Sequence, residues 1–592
     1  MPLRLSRNML PSGQPPYPKR HKLVFRRMMT SAVAIGLCIA SAAPLAAQSN
    51  AGAYLAARSA AIQSDFEQAA SYFTQALTRD PRNFGLMESA VASQLALGRI
   101  DRAVPIAQSL KASGQSSQVG ELVLTAHKIL QQDFAALEAK PIADAGIGPL
   151  VDGLVQAWAL MGSGKVSEAL AGFDEVAAQP GLMGFALYHK AMALASVGDF
   201  EGAERIFDGD TSGTVIQTRR GVLARTEILS QLGQGDKALS LLQQMFSGAT
   251  DPEIEQIIVR LENGEQIPFQ HVNSAQDGFA EVFFSVAAAL RSEAGPEYII
   301  LYAQIALNLR PDHVDALLLT ADIFESLGQF DEAIKIYKRV PANDPNYHAA
   351  ELGRAEALRS SDRPEAAIEV LEQLARSHGE LATVHSALGD ALRREDRFGE
   401  AVAAYDAAAE LVTDKGGPSW FLYYARAISQ ERQGNWEAAE SDFRAALEIN
   451  PNQPQVLNYL GYSLVEKTQN LDEALEMIER AVALSPDSGY IIDSLGWALY
   501  RLGRFEEAVP HMERAVELMA VDPVVNDHLG DVYWAVGRKR EAEFQWARAL
   551  SFVDMDDPLS EAKPDRIRRK LEVGLDVVLE EEGSDPLEVA RD

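Results

Sequence analysis

The chain has 592 residues, of which 54 are basic and 84 acidic, for a formal net charge of −30. Hydrophobic residues make up 47%, which excludes a disordered chain, and the length calls for several domains or an array of repeats. The first 47 residues hold seven basic residues and no acidic one, leaving 47 basic against 84 acidic residues in the rest; a body that acidic repels phosphate backbones and is not expected to take nucleic acid.

In chain order, the first element is an export signal. Residues 19–27, KRHKLVFRR, are a basic n-region, and residues 30–47, TSAVAIGLCIASAAPLAA, are an apolar run rich in small residues. Leu45-Ala46-Ala47 before Gln48 is the expected cleavage site. The proline-rich stretch ahead of it reads as upstream readthrough, with Met28 or Met29 as the competing start. A retained membrane anchor is the rival reading, opposed by the shortness of the run and by Pro44 inside it. Cys38, the single cysteine, follows Leu37 in mid-run, so it is a poor lipid acceptor and leaves with the signal. The expected location is the periplasm, with association at the outer membrane as a further option and no integral span after signal removal.

From residue 50 onward, an alanine recurs with an aromatic or apolar residue four places later: Ala69/Phe73, Ala169/Phe173, Ala203/Phe207, Ala333/Tyr337, Ala401/Tyr405, Ala439/Phe443, Ala474/Ile478, Ala508/Met512 and Ala542/Trp546. The interval is 34 residues from 169 to 203, 333 to 367, 367 to 401, 474 to 508 and 508 to 542, and 35 from 203 to 238. Other slots keep step. A small residue stands earlier in each unit (Ala57, Ala157, Ala191, Ala321, Ala355, Ala427, Gly461, Gly496, Gly530), and a glycine stands between the halves (Gly98, Gly164, Gly198, Gly233, Gly328, Gly434, Gly503, Gly537). A proline closes several copies (Pro81, Pro345, Pro451, Pro486). The spacing predicts two amphipathic helices per unit, a left-handed turn at the glycine and a stop at the proline.

This pattern resembles the tetratricopeptide repeat (TPR) family. The resemblance implies an all-α fold, an α-solenoid built as a right-handed superhelix of helix-turn-helix repeats. Units start near residues 50, 150, 184, 219, 280, 314, 348, 382, 420, 454, 489 and 523, with a degenerate unit near 84. The expected division is a signal peptide with upstream basic segment over 1–47, N-terminal TPR units over 48–117 and an irregular helical connector over 118–149. TPR units follow over 150–252, a second connector over 253–279, further TPR units over 280–556, and a capping helix with an acidic tail over 557–592. Ile567, Leu571, Leu575 and Val578 mark the cap, which the last repeat needs because its apolar face has no successor.

Motifs that carry chemistry fail individually. Gly162-Ser163-Gly164-Lys165 lacks the earlier glycine and the hydroxyl residue of a phosphate loop, and falls on an inter-helix turn. Asp208-Gly209-Asp210-Thr211-Ser212-Gly213 opens like a calcium loop, but Arg219 stands where the closing acid belongs. His528 beside Asp527 shows no third partner, and no His-Glu-x-x-His or Gly-x-Ser-x-Gly motif is present. The gaps between repeats, 32 and 27 residues, are too short for a catalytic domain. No enzyme, catalytic residue, metal or cofactor is expected.

In the family, the first helix of each unit lines a concave groove that holds an extended peptide or a partner helix. Carried onto this chain, the resemblance places Phe421, Tyr424, Asn458, Tyr462, Tyr490, Asp493, Trp497, Tyr500, Arg501, Asp527, Asp531 and Trp534 on that wall, and Glu356, Arg359, Asp390, Arg393 and Arg394 on a more charged stretch. Aromatic residues with a few polar ones compose interface hot spots, while the competing reading makes the same residues core. The lysine and asparagines with which chaperone-binding members clamp a terminal carboxylate are missing; Asn458 stands alone. The block Leu457 to Leu550 is similar to bacterial envelope TPR proteins, among them an outer-membrane lipoprotein adaptor that delivers cell-wall hydrolases to a carboxyl-terminal processing protease. The expected function is a non-catalytic scaffold or adaptor of the bacterial envelope whose partners are other proteins, envelope enzymes or assembly factors. The alternative is a component of glycan or polysaccharide assembly, akin to glycosyltransferase machinery.

Overall fold

The structure, a computed structural model, describes residues 51–139, 146–209, 215, 218–246, 251–412, 419–553 and 562–583. The expected signal with Cys38, residues 210–213 of the calcium-like segment and the end of the acidic tail lie outside them. Among the described residues there are 31 α-helices and no strand.

Most helices come as consecutive pairs. The first six pairs are α1 (Ala51–Ile62) with α2 (Phe66–Leu77), α3 (Phe84–Ala96) with α4 (Ile100–Ala112), and α5 (Gln118–Leu130) with α6 (Phe134–Glu138), then α7 (Pro149–Gly162) with α8 (Val166–Ala177), α9 (Met183–Ser196) with α10 (Phe200–Phe207), and α11 (Arg219–Gln231) with α12 (Gly235–Met245). A single helix, α13 (Pro252–Glu262), precedes α14 (Ala275–Ala289) with α15 (Pro296–Leu309), α16 (Val314–Ser326) with α17 (Phe330–Tyr337), and α18 (Tyr347–Ser360) with α19 (Pro364–Ser377). Next come α20 (Ala382–Arg394) with α21 (Phe398–Leu411), α22 (Trp420–Arg432) with α23 (Trp436–Ile449), and α24 (Pro454–Glu466) with α25 (Leu471–Leu484). The last pairs are α26 (Gly489–Arg501) with α27 (Phe505–Leu518), α28 (Pro523–Ala535) with α29 (Lys539–Phe552), and the terminal α30 (Pro564–Val573) with α31 (Leu575–Glu581).

Local chemistry explains the pairing. The eight mid-unit glycines all take φ between +69° and +87°, the left-handed turn that ends a first helix. In five other pairs, Ser64, Gln132, Asp362, Asp396 and Thr468 occupy the same turn at φ between 52° and 65°. The recurring alanines Ala69, Ala169, Ala203, Ala333, Ala401, Ala439, Ala474, Ala508 and Ala542 are all fully buried. Their aromatic or apolar companions lie buried beside them, apart from the half-buried Phe207. A Cβ at Gly496 or Gly530 would overlap Met512 or Trp546, so the first helix is small where the second is large. No described helix is long and apolar enough to cross a membrane.

The described residues gather into two compact units, residues 51–387 and residues 388–583, a boundary that falls inside the repeats expected over 280–556. In the first unit, the expected connector at 118–149 holds α5 and α6, a pair whose second helix stops after one turn. Phe134 of α6 stacks on Phe279 of α14, with ring centroids 5.9 Å apart. The connector at 253–279 holds α13 and then non-helical chain pinned by a hydrogen bond from the Ile267 amide to Ser230 Oγ, 2.7 Å.

Helices α14 and α15 change what this unit can do. They pack across first helices of earlier pairs, α14 on α7 and α9, and α15 on α3 and α5. The Trp158 ring leaves no room for a Cβ at Gly278, and Gln304 Nε2 donates to the Ala96 carbonyl at 2.9 Å. Glu281, 1% exposed, accepts from Tyr188 Oη at 2.7 Å and from Arg220 Nε at 2.9 Å, while Arg220 Nη1 also reaches Asp315 at 2.5 Å. The faces that the sequence assigns to a groove are here covered by the same chain. On the wall expected over the middle repeats, Glu356 pairs with Arg359.

Candidate functional site

The unit of residues 388–583 repeats the pair pattern without such a cover, and its first helices α20, α22, α24, α26, α28 and α30 carry the expected binding residues. The structure sorts those residues into two groups. Phe421, Tyr490, Trp497, Arg501 and Trp534 keep surface. Tyr424, Asn458, Tyr462, Asp493, Tyr500, Asp527 and Asp531 are buried, at 1, 3, 4, 2, 8, 8 and 1% exposure. The expectation that all twelve line an open groove is therefore corrected. Neighbouring first helices close over the second group, and the terminal helix consumes its charges.

The α22 end of the wall is aromatic. Tyr424 packs on Phe443 and Tyr459 with centroids 6.0 and 6.1 Å away, and Phe421 lies 6.3 Å from it. Burial pushes the Tyr424 hydroxyl up, Tyr490 adds to the effect and Arg393 opposes it. Two buried polar groups stand out here. Arg393, 5% exposed, gives Nε to Tyr405 Oη at 3.1 Å and Nη2 to Asp390 at 3.4 Å, but its Nη1 donates to no described residue. Asn458 makes no side-chain hydrogen bond to any described residue, and its Oδ1 is sealed off. A buried hydrogen-bonding group left unmade costs about 1–3 kcal/mol.

The α26 to α28 end is a stacked, charge-coupled cluster. Trp497 lies on His528, centroids 3.9 Å apart, and on Tyr500 at 4.8 Å. Its Nε1 donates to Glu466 at 3.1 Å, and Arg501 Nη1 reaches the same carboxylate at 2.9 Å. His528 Nδ1 bonds Asp493 at 3.1 Å. Burial pulls the imidazole down, but Asp493, with Asp527 and Asp531 behind it, outweighs burial and holds it above its ordinary value. Lys570 of α30 then plugs the wall, with Nζ 2.9 Å from Asp527 Oδ1 and 2.6 Å from Asp531 Oδ1. Trp534 Nε1 donates to Asp576 of α31 at 3.0 Å.

Sequence reasoning set His528 aside as a catalytic fragment and passed over Glu466. A usable signal exists. Glu466 to Trp497 and Trp497 to His528 are both 31 residues, and Glu466 to Arg501 and Asp493 to His528 are both 35. These offsets are the spacings at which neighbouring first helices touch. The rejected motifs behave as turns: Gly164 takes φ +76° between α7 and α8, and Lys165 pairs with Glu138 at 2.5 Å. Asp208 is engaged by Arg225 and Lys237. Among the described residues, no group of three or more histidine, cysteine or acidic side chains could hold a metal.

Family models described as tetratricopeptide repeat match residues 54–117, 352–416 and 424–489, with two further such models matching 300–357 and 490–519. The TPR repeat-containing protein PA4667 of Pseudomonas aeruginosa is 26% identical over 204 residues, covering 34% of this chain and 28% of that protein. The chain thus spans little more than a quarter of that relative's length. Among solved structures, a chain of the APC/C hetero-tetramer Cut9-Hcn1 shares 14% identity over 90% of this chain and 97% of that chain, with a TM-score of 0.38. A tetratricopeptide repeat protein from Parabacteroides merdae ATCC 43184 shares 15% over 44% and 98%, with a TM-score of 0.36. MamA shares 24% over 28% and 94%, with a TM-score of 0.25.

Proposed function

This chain belongs to the tetratricopeptide repeat family, and on that premise we propose that it is a non-catalytic scaffold of the bacterial envelope that grips an extended peptide segment of a partner protein on the α22–α26 wall. TPR arrays are protein–protein interaction scaffolds, and the unit of residues 51–387 has its own helices across the corresponding faces. The observation that carries the proposal is Asn458. Its side chain on α24 is unbonded among the described residues, and on other first helices of the same unit Phe421 of α22 and Tyr490 and Trp497 of α26 keep half-exposed aromatic surface. The basic and apolar segments ahead of residue 48 support export to the periplasm.

Panning a random peptide library on the purified chain tests the binding. We expect selected peptides whose affinity falls more than about tenfold with Asn458→Leu and with Trp497→Ala, the loss of one or two buried contacts. A chain that selects no peptide, or peptides indifferent to both substitutions, contradicts the proposal. Cell fractionation tests the location, with cytoplasmic recovery as the contrary result.

A further inference from the structure

The unit of residues 51–387 contains a cavity of about 300 Å³. Its walls are the turn after α3 (Leu97, Gly98), α15 (Gln304, Leu307, Asn308), Phe324 of α16, and Glu332 and Ile336 of α17, with Arg339 at the rim. The seam is real packing: Gln304 Nε2 holds the Ala96 carbonyl, and the Phe66 ring meets Phe324 at 6.4 Å.

The polar groups on this cavity are unevenly used. Gln304 is 4% exposed, yet its Oε1 accepts from no described residue. Asn308 Nδ2 donates to the Gln304 carbonyl at 2.8 Å, and its Oδ1 likewise has no donor among the described residues. Arg339 gives one Nη2 hydrogen bond to the Pro311 carbonyl at 3.0 Å and forms no ion pair with a described carboxylate. Partial burial pulls its guanidinium below the ordinary value, with no carboxylate to oppose it. Glu332, also on the lining, pairs with surface Lys335. Leu307, Phe324 and Ile336 supply buried apolar wall.

The geometry points to this cavity as a binding site for a small apolar α-amino acid in its zwitterionic form. The ammonium group meets Gln304 Oε1, Asn308 Oδ1 and the Glu332 carboxylate; the carboxylate meets the Arg339 guanidinium; the side chain lies against Leu307, Phe324 and Ile336. An isolated anion leaves the two amide oxygens and Glu332 unmatched, and an isolated cation leaves Arg339 unmatched. The volume stands at the lower end of ligand sites, which suits a single residue and not a long peptide.

Isothermal titration of the full chain with L-leucine tests this. One equivalent binds saturably, and N-acetyl-L-leucine and L-leucinamide, each lacking one charge, bind at least about tenfold more weakly, as loss of a charge-assisted contact requires. Arg339→Gln weakens L-leucine at least about tenfold while the unliganded melting curve stays unchanged. As Arg339 lies at the rim, that variant folds; Asn308→Leu serves as an independent second variant with the same expected loss. No saturable heat up to 10 mM (about −2.7 kcal/mol at that Kd), equal binding of the capped forms, or full binding in Arg339→Gln overturns the assignment.

Discussion

At the scale of single residues, two buried histidines, one in each unit, respond to pH in opposite senses. His189 accepts from Trp158 Nε1 through Nδ1 at 3.2 Å and meets Ser285 Oγ through Nε2 at 3.2 Å. Burial holds it at about 4, against an ordinary 6.5. The unfolded chain therefore binds this proton first. His189's contribution is complete above pH 6.5 and declines as pH falls toward 4, by roughly 3 kcal/mol in all. Urea unfolding followed by amide exchange in α9 should show that decline, and His189→Gln should remove it from the window. His528 is held above its ordinary value, so its contribution is present below pH 6.5 and lost as pH rises through the folded value. Lys570 makes a sharper case. Its side chain is 0% exposed between two buried carboxylates, so Lys570→Met removes the cation bound to Asp527 and leaves Asp531 only the more distant Arg566 at 3.6 Å, and should cost about 3–5 kcal/mol, read as rapid exchange in α28 to α31. Adding Asp527→Asn and Asp531→Asn to that variant should restore much of the protection. Such pairs bridge 43 and 39 residues, outside the repeat offset, and no sequence pattern announces them. Asn458 differs again: its slot was legible from the repeat, but that its amide goes unused depends on what surrounds it.

At the scale of elements, the 34-residue pattern left little hidden. Every mid-unit glycine forms the left-handed turn, and the recurring alanines sit where paired helices touch, because small-against-large packing leaves a periodic mark in the chain. The exceptions are informative. Thr468 takes φ +56° in the turn between α24 and α25, a conformation costly for a β-branched residue. Thr468→Gly should stabilise the unit of residues 388–583 by about 1 kcal/mol, relief of strain less the entropy of a new glycine, measured as a higher urea midpoint. Gly530→Ala should do the reverse by about 1–3 kcal/mol, since its methyl group would enter the Trp546 ring. The segment 118–149, expected as an irregular helical connector, is a helix pair with a short second member. Helix α6 ends after five residues, so the alanine and aromatic of the second helix never recur, although α5 is a full first helix.

At the scale of the whole molecule, repetition does not translate into one continuous groove. The sequence treats all pairs as equivalent, but α14 and α15 return to α3, α5, α7 and α9, a non-local packing that periodicity cannot encode. Twelve residues drawn from a single family slot pattern likewise separate into five with surface and seven without, because burial depends on the neighbours of each slot. The proposed partner binding therefore falls to the unit of residues 388–583, and within it to the wall around Asn458. The most direct test replaces Tyr490 with a photo-crosslinking amino acid in living cells, with Phe544 on α29, 61% exposed, as the comparison position. A specific protein adduct is expected from position 490 that disappears with Asn458→Leu and is not formed from position 544. Equal capture at both positions, or capture at 490 that ignores Asn458→Leu, would contradict the proposal.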